Sequence, residues 1–282
     1  DLAGPNLGIE PLPDIDFNIR AGNTLVGYAT YDDVKQVVAS KFDFEGSMER
    51  IEEKARDIDS LFGLFRQQQT EFGGEVTPAD KQELRKRLKT LEDELNRYLA
   101  QEYGVDPAKR TQYEKWLTSH KPFHWFIEFY GIMKVGGFDV IIGNPPYVEW
   151  SKIKDYKLQA EQYSTFDCGN IYTTVCERSY GLLARSGRFG MIVPLSCVST
   201  ERMAPFRHAW TRFGLSTHVS HYSGDAHPSV LFQGVKFRLS ILIQYKGPNH
   251  TRLFSTHFLK WLPEGRDALF SLLRYTEVTP AL

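Results

Sequence analysis

The chain has 282 residues, 41% of them hydrophobic and 24% charged, which excludes a disordered protein and suits one large α/β domain or two small ones. A formal net charge of −1 excludes a globally basic surface, so any contact with nucleic-acid phosphates must be a local patch or lie elsewhere. No apolar run nears the ~18 residues of a membrane span. No membrane partner is therefore expected. The three cysteines, Cys168, Cys176 and Cys197, lack Cys-x-x-Cys spacing and read as buried thiols of a reducing, cytoplasmic setting.

Residues 1–16, rich in Pro and Gly, read as a loop. Phe17, Ile19 and Ala21 alternate with polar residues, so a short strand is predicted that Gly22-Asn23 ends. Residues 45–103 change character. Met48, Ile51, Ala55, Ile58, Phe62 and Phe65 form one heptad-like apolar seam, and Leu84, Leu88, Leu91, Leu95 and Tyr98 form another. Gly73-Gly74 breaks the first helix, and Thr77-Pro78 starts the second with an N-cap and a proline at the first helical position. An antiparallel helical hairpin follows. Its charged outer faces read either as solvated surface or as a contact for a partner or DNA.

The aromatic run His120–Tyr130 suits a short helix packed on a core. Gly136-Gly137 then turns the chain into Phe138-Asp-Val-Ile-Ile142, read as a buried, parallel strand. A helix over 172–184 is predicted to end at Ser186-Gly187, and Arg188–Pro194 is the next buried strand. Residues 201–213 read as helix, and Ser216–Tyr222, Val235–Tyr245 and Thr251–Ser255 as strands. A last helix is placed over 265–274. Strands alternating with helices predict a mostly parallel, helix-covered sheet, and the late run of strands predicts an antiparallel edge.

Asn144-Pro145-Pro146-Tyr147 follows the strand at 138–142 directly. In open α/β sheets, ligand sites gather at the carboxyl ends of strands. The two prolines stiffen the loop and supply no N–H. Asn144 offers an acceptor and two donors, and Tyr147 a flat stacking face. An aromatic amine such as adenine N6 is a poor nucleophile because its lone pair is delocalised into the ring. Acceptors at the Asn144 side chain and the Pro145 carbonyl would hold its two hydrogens, while Tyr147 holds the base flat. Positioning of this kind needs neither a covalent nucleophile nor a metal. The base must leave the duplex to reach such a loop. The bland alternative is a rigid Pro-Pro surface turn.

Phe138–Tyr147 resembles the catalytic motif of the amino-methyltransferases with an Asn/Asp-Pro-Pro-Tyr/Phe signature. With Asn18-Ile-Arg-Ala-Gly-Asn-Thr-Leu-Val-Gly27, Pro122–Phe129 and Gly187–Pro194 in the same order, residues 10–245 are similar to the methyltransferase part of type IIG-like, bifunctional restriction-modification enzymes and of related phage-defence methyltransferases. The resemblance implies an α/β, Rossmann-like methyltransferase sheet with the helical hairpin inserted. It implies S-adenosylmethionine as cofactor, DNA adenine N6 as methyl acceptor, and double-stranded DNA and other subunits or domains of a restriction or phage-defence complex as partners. It carries a catalytic role to Asn144, Pro145, Pro146 and Tyr147 and a cofactor contact to Asn144. It also makes Asn23 a contact of the cofactor's adenine pocket, against the alternative that Asn23 only adopts a left-handed turn. Phe232 becomes the aromatic on the other face of the base, against the alternative of a core Phe. Asp167 or Asn170 stands where the family has an Asp before a helix. On this reading residues 1–44 begin the core, 45–118 are the hairpin insertion, 119–260 are the catalytic core, and 261–282 lead toward a target-recognition region. The family's glycine-rich cofactor loop is expected ahead of residue 1, so the sequence is expected to be a piece of a longer protein or to be completed by another polypeptide.

Other chemistries find little support. His120 and His124 have metal-pair spacing but no third ligand or following Glu, so they read as packing or capping residues. Asp155-Tyr-Lys157 lacks the acidic partner of a nuclease site. Two rival functions stay open: a methyltransferase of RNA adenine or of a protein amide, and a non-catalytic DNA- or partner-binding subunit.

Overall fold

A computed structural model describes residues 19–39, 44–70, 78–224, 231–232, 237–247, 251–261, 263–265 and 267–278. The chain divides into two compact units, Asp1–Lys134 and Val135–Leu282.

The first unit is helical: α1 Tyr31–Ala39, α2 Phe44–Thr70, α3 Pro78–Glu102 and α4 Arg110–His120. Both predicted seams are buried where described, except that Tyr98 is only half-buried. Met48, Ile51, Ala55 and Ile58 of α2 face inward, as do Leu84, Leu88, Leu91 and Leu95 of α3. Arg50 and Lys54, early in α2, reach Glu94, late in α3, at 3.3 and 2.7 Å, so the two helices run antiparallel. The predicted break at Gly73-Gly74, the Thr77 cap and the side chains of Phe62 and Phe65 lie outside what is described. The α4 helix was not anticipated as a separate element. Gly104, at φ 70°, ends α3, and the chain restarts beyond Asp106-Pro107. The aromatic run forms two short helical turns, Trp125–Glu128 and Tyr130–Lys134, with Phe126, Ile127 and Tyr130 buried. Phe17 and Asn18 of the predicted first strand are outside the described residues, and Ile19–Ala21 is not a strand. Ile19 is exposed, and pairing begins only at a single bridge between Asn23 and Pro122.

The second unit is a six-stranded mixed sheet: β1 Phe138–Gly143, β2 Leu183–Pro194, β3 Leu215–Tyr222, β4 Leu239–Lys246, β5 Leu253–Leu259 and β6 Thr276–Glu277, in the order β1-β2-β4-β3-β5-β6. Helix α5, Ile171–Leu182, connects β1 to β2, which lie parallel, and α6, Ala204–Arg212, connects β2 to β3. The α/β architecture and the antiparallel edge are as expected, β6 running antiparallel to β5 at the end of the sheet order, but the sheet is not mostly parallel: only β1–β2 and β3–β5 are parallel pairs among the described strands. Strand β4 runs antiparallel to both β2 and β3 and sits between them. Tyr172 and Tyr180 of α5, Phe206 of α6 and Phe189 of β2 are fully buried and pack in one cluster. Each side chain of this size contributes about 2–3 kcal/mol on leaving water.

Three sequence expectations need correction. Strand β1 is not buried: Val140 is 57% and Ile142 78% exposed. It stands first in the sheet order, so among the described residues β2 alone borders it. Its alternating side chains put Ile141 against the core and leave Val140 and Ile142 on the other face. Ser186-Gly187 does not separate helix from strand. The strand begins at Leu183, and the extra residues form an irregularity between the Phe138↔Leu183 and Val140↔Arg188 pairings. No helix forms over 265–274 among the described residues. Residues 267–272 turn instead, and this tucks Leu269 against Tyr222, Leu231, Leu239 and Trp261.

Candidate active site

Gly136 and Gly137, at φ 114° and 110°, feed the chain into β1, a conformation open to residues without a Cβ. At Gly137 a Cβ would stand 2.4 Å from the Leu182 carbonyl oxygen, so the last turn of α5 touches the strand start directly. Asn144–Tyr147 then leaves the carboxyl end of β1. Beyond it, the chain is pinned again: the Ile171 N–H donates to the Val148 carbonyl at 2.9 Å, and the Trp150 N–H to the Gly169 carbonyl at 3.1 Å. Asn170 caps α5, its side chain accepting from the Tyr172 N–H, whereas Asp167 is exposed in the turn before it. The motif is thus held at both ends.

Within it, Asn144 and Pro146 are exposed, Pro145 is buried and Tyr147 is half-buried. The Tyr147 hydroxyl oxygen is 2.7 Å from the Asn144 side-chain oxygen and 2.8 Å from the Ile192 carbonyl of β2. Burial pushes the Tyr147 phenol up to about 12, so it keeps its proton across the neutral range. Its ring meets Tyr172 edge-on at 6.3 Å and Phe237 at 6.1 Å and 77°. It packs against both apolar clusters of the unit, which fixes the ring plane. Phe237 is 55% exposed and was not singled out in the sequence, where it was counted into the following strand. Its only signal was an aromatic five residues past Phe232. Phe232 itself is 39% exposed and is not a core residue.

Asn23 belongs to the first unit. Its backbone N–H donates to the Lys121 carbonyl at 2.8 Å, and its side-chain oxygen accepts from the Leu25 N–H at 3.1 Å. Among the described residues Lys121 is the one non-glycine with a positive φ, so Asn23 is not in a left-handed turn. The turn it organises is locked from below. The Phe123 N–H donates to the Val26 carbonyl at 2.7 Å, and the Tyr28 N–H to His124 Nδ1 at 3.1 Å. His124 Nε2 lies 3.0 Å from Asn96 Oδ1, an acceptor, so this nitrogen carries the hydrogen. Burial drives His124 down to about 3 and keeps it neutral. His120 ends α4 and is separated from His124 by the left-handed Lys121, so the two do not share a helical face. Among the described residues no three His, Cys, Asp or Glu side chains are grouped to hold a metal. Cys168, Cys176 and Cys197 are free and buried. No helix is long and apolar enough to cross a membrane among the described residues.

The sequence model of the family described as Eco57I restriction-modification methylase matches residues 37–223. A protein of Methanocaldococcus jannaschii described as a type II restriction enzyme and methyltransferase is 28% identical over 244 residues, or 70% of this chain and 20% of its own length. Among solved structures, the chain resembles the DrdV–DNA complex at 15% identity and TM-score 0.42, over 50% of this chain and 17% of that one. It also resembles a nuclease-deletion mutant of the Type ISP restriction-modification enzyme LlaGI in complex with a DNA substrate mimic. That likeness is at 14% identity and TM-score 0.46, over 55% of this chain and 18% of that one. The chain therefore spans about a fifth of the length of each of these relatives.

Proposed function

The chain belongs to the Eco57I restriction-modification methylase family, and from that premise we propose that it carries the catalytic loop of an S-adenosylmethionine-dependent DNA methyltransferase acting on adenine N6. The observation that carries the proposal is the Asn144–Tyr147 loop. It leaves the carboxyl end of a strand parallel to its neighbour, it is anchored on both sides, and it presents a half-buried aromatic ring beside an exposed carboxamide. An amine placed there finds the Asn144 carbonyl and the Pro145 carbonyl as acceptors for its two hydrogens. Holding both hydrogens draws the nitrogen toward a tetrahedral shape and frees its lone pair. The Tyr147 ring supports one face of the base, a contact worth about 1–3 kcal/mol. Phe237, whose ring meets that of Tyr147 at 6.1 Å, and Phe232 are the exposed aromatics proposed for the other face. The freed amine lone pair would take the methyl group a bound cofactor supplies, and the surplus amine proton would pass to solvent.

Bound S-adenosylmethionine supplies the electrophilic methyl group. Asn144 and Asn23 are the residues proposed to hold it. Asn23 suits a purine ring nitrogen, since its oxygen is spent on the Leu25 N–H and its amide hydrogens find no partner among the described residues. Double-stranded DNA is the proposed substrate, with base flipping as the route of access. The other domains or subunits of a restriction or phage-defence complex are the proposed partners.

The test is methyl incorporation into unmethylated plasmid DNA by the intact protein and its Asn144→Ala variant, with the modified base mapped. Methyl at adenine N6 that the variant loses supports the reading. Methyl on cytosine, on RNA or on protein instead of DNA adenine refutes it, as does no transfer at all.

A further inference from the structure

The Tyr147 hydroxyl faces two oxygens and has one hydrogen. Ile192 and Asn144 both stand within hydrogen-bonding distance, at 2.8 and 2.7 Å. With the Asn144 oxygen turned inward, one of these contacts is oxygen against oxygen with nothing between, which is repulsive. The Ile192 carbonyl cannot rotate away. It belongs to β2, which stays paired with β4 there, Ile192 opposite Ile241, while the register with β1 ends one residue earlier at Met191. The Asn144 carboxamide can rotate. Its oxygen and nitrogen are nearly isosteric, and the hydrogen-bond partners decide which end faces the phenol.

We propose that the Tyr147 hydroxyl donates to the Ile192 carbonyl and accepts from the Asn144 amide nitrogen, which turns the Asn144 oxygen outward to the exposed side and makes this hydroxyl the positioning group for that oxygen. Every polar atom of the trio is then satisfied. The protonated state of Tyr147 agrees with this, since a phenolate would have no hydrogen for Ile192. The sheet backbone thereby sets the direction of a side chain three residues upstream of the tyrosine. Fixing a rotor before the substrate arrives lowers the cost of assembling the reacting geometry. The orientation concerns the protein alone; its value for methyl transfer rests on the reading of Asn144 as the amine acceptor. The ring of Tyr147 stacks the base in that reading, while its hydroxyl acts through Asn144.

Two measurements on the intact protein test it. In the first, the Asn144 side-chain amide is assigned by NMR from its loss in Asn144→Asp. One of its hydrogens is expected to be shifted downfield, and its solvent exchange to rise about 5-fold or more in Tyr147→Phe, as for the loss of one net hydrogen bond. An amide that exchanges like a free carboxamide in both proteins overturns the proposal. This arm needs no substrate, so it stands apart from the methyltransferase reading. In the second, Tyr147→Phe is expected to lower kcat for DNA methylation about 10-fold with KM changed less than about 2-fold, because the ring is kept. In an Asn144→Asp background, whose carboxylate has no end to orient, the same substitution is expected to cost no more than about 2-fold. Equal losses in both backgrounds overturn the positioning role. A wild-type protein that transfers no methyl refutes the functional reading, with the NMR arm still deciding the orientation.

Discussion

Tyr147 and Asn144 form one hydrogen-bonded unit, with 2.7 Å between hydroxyl and carboxamide, and that unit is tied to β2 through the Ile192 carbonyl at 2.8 Å. An aromatic ring and a carboxamide three residues apart are thus tied to a strand that neither belongs to.

Removing the acceptor should be the most damaging single change. Asn144→Ala is expected to lower kcat for methyl transfer by about 10²–10³-fold, the size seen when one polar contact to a developing transition state is lost. Thermal stability should be unaffected, since Asn144 is exposed. Rapid-quench methylation alongside calorimetry checks both halves.

The two exposed aromatics can be ranked. Phe237→Ala removes a ring that borders Tyr147 at 6.1 Å, and it should weaken binding of a flipped base by about 1–3 kcal/mol. Phe232→Ala is the comparison. Fluorescence of 2-aminopurine at the target position measures both, and the larger loss identifies the stacking partner.

Glu177 is a buried carboxylate on α5 that accepts from the Ser164 N–H and hydroxyl, the Thr165 N–H and Arg212. Burial pushes its carboxyl up, but the bonds from Thr165, Arg212 and Ser164 outweigh this and hold it below the ordinary value. A depressed acid stabilises the fold above its ordinary pKa of 4.5, and that stability is lost as pH falls through the lower folded value. Glu177→Ala should cost about 3 kcal/mol, because several donors lose their acceptor. Arg212→Ala should cost about 1 kcal/mol, since Arg212 is half-exposed and the other donors remain. Urea titrations give both values.

His124 adds a second acid sensitivity at higher pH. The unfolded chain takes up a proton near 6.5 and the folded chain only near 3, so stability is full above 6.5 and falls as pH drops through that interval. The slope is about 1.4 kcal/mol per pH unit. His124→Gln should flatten it, which urea midpoints between pH 7 and 4 would register.

Gly136 and Gly137 should respond unequally to alanine. At Gly136 a Cβ meets nothing within 4 Å, so only the positive φ is strained, at about 1–2 kcal/mol. At Gly137 it also strikes the Leu182 carbonyl at 2.4 Å, and the cost should exceed 3 kcal/mol or displace β1, on the scale of about 1–3 kcal/mol for backbone strain with a steric clash added. Thermal unfolding of the two variants measures the difference.

The sequence by itself determined the helical hairpin, the β1-loop junction and the identity of the Asn-Pro-Pro-Tyr loop. These are local matters: heptad spacing needs a buried seam, paired glycines permit a positive φ, and prolines stiffen a turn whatever surrounds them. The tertiary structure decided what depends on neighbours distant in the chain. An apolar run such as Phe138–Ile142 reads the same whether one face of its strand is covered or both, and only the tertiary packing puts Ile141 against the core and leaves Val140 and Ile142 exposed. Periodicity likewise carries no information on direction, so the antiparallel place of β4 between β2 and β3 was not legible. The approach of Phe237 to Tyr147 and the capture of the Tyr147 hydroxyl by Ile192 join residues 90 and 45 positions apart. Contacts over such separations follow from how the sheet is ordered, because it is the sheet's hydrogen bonding and packing that bring those backbones together.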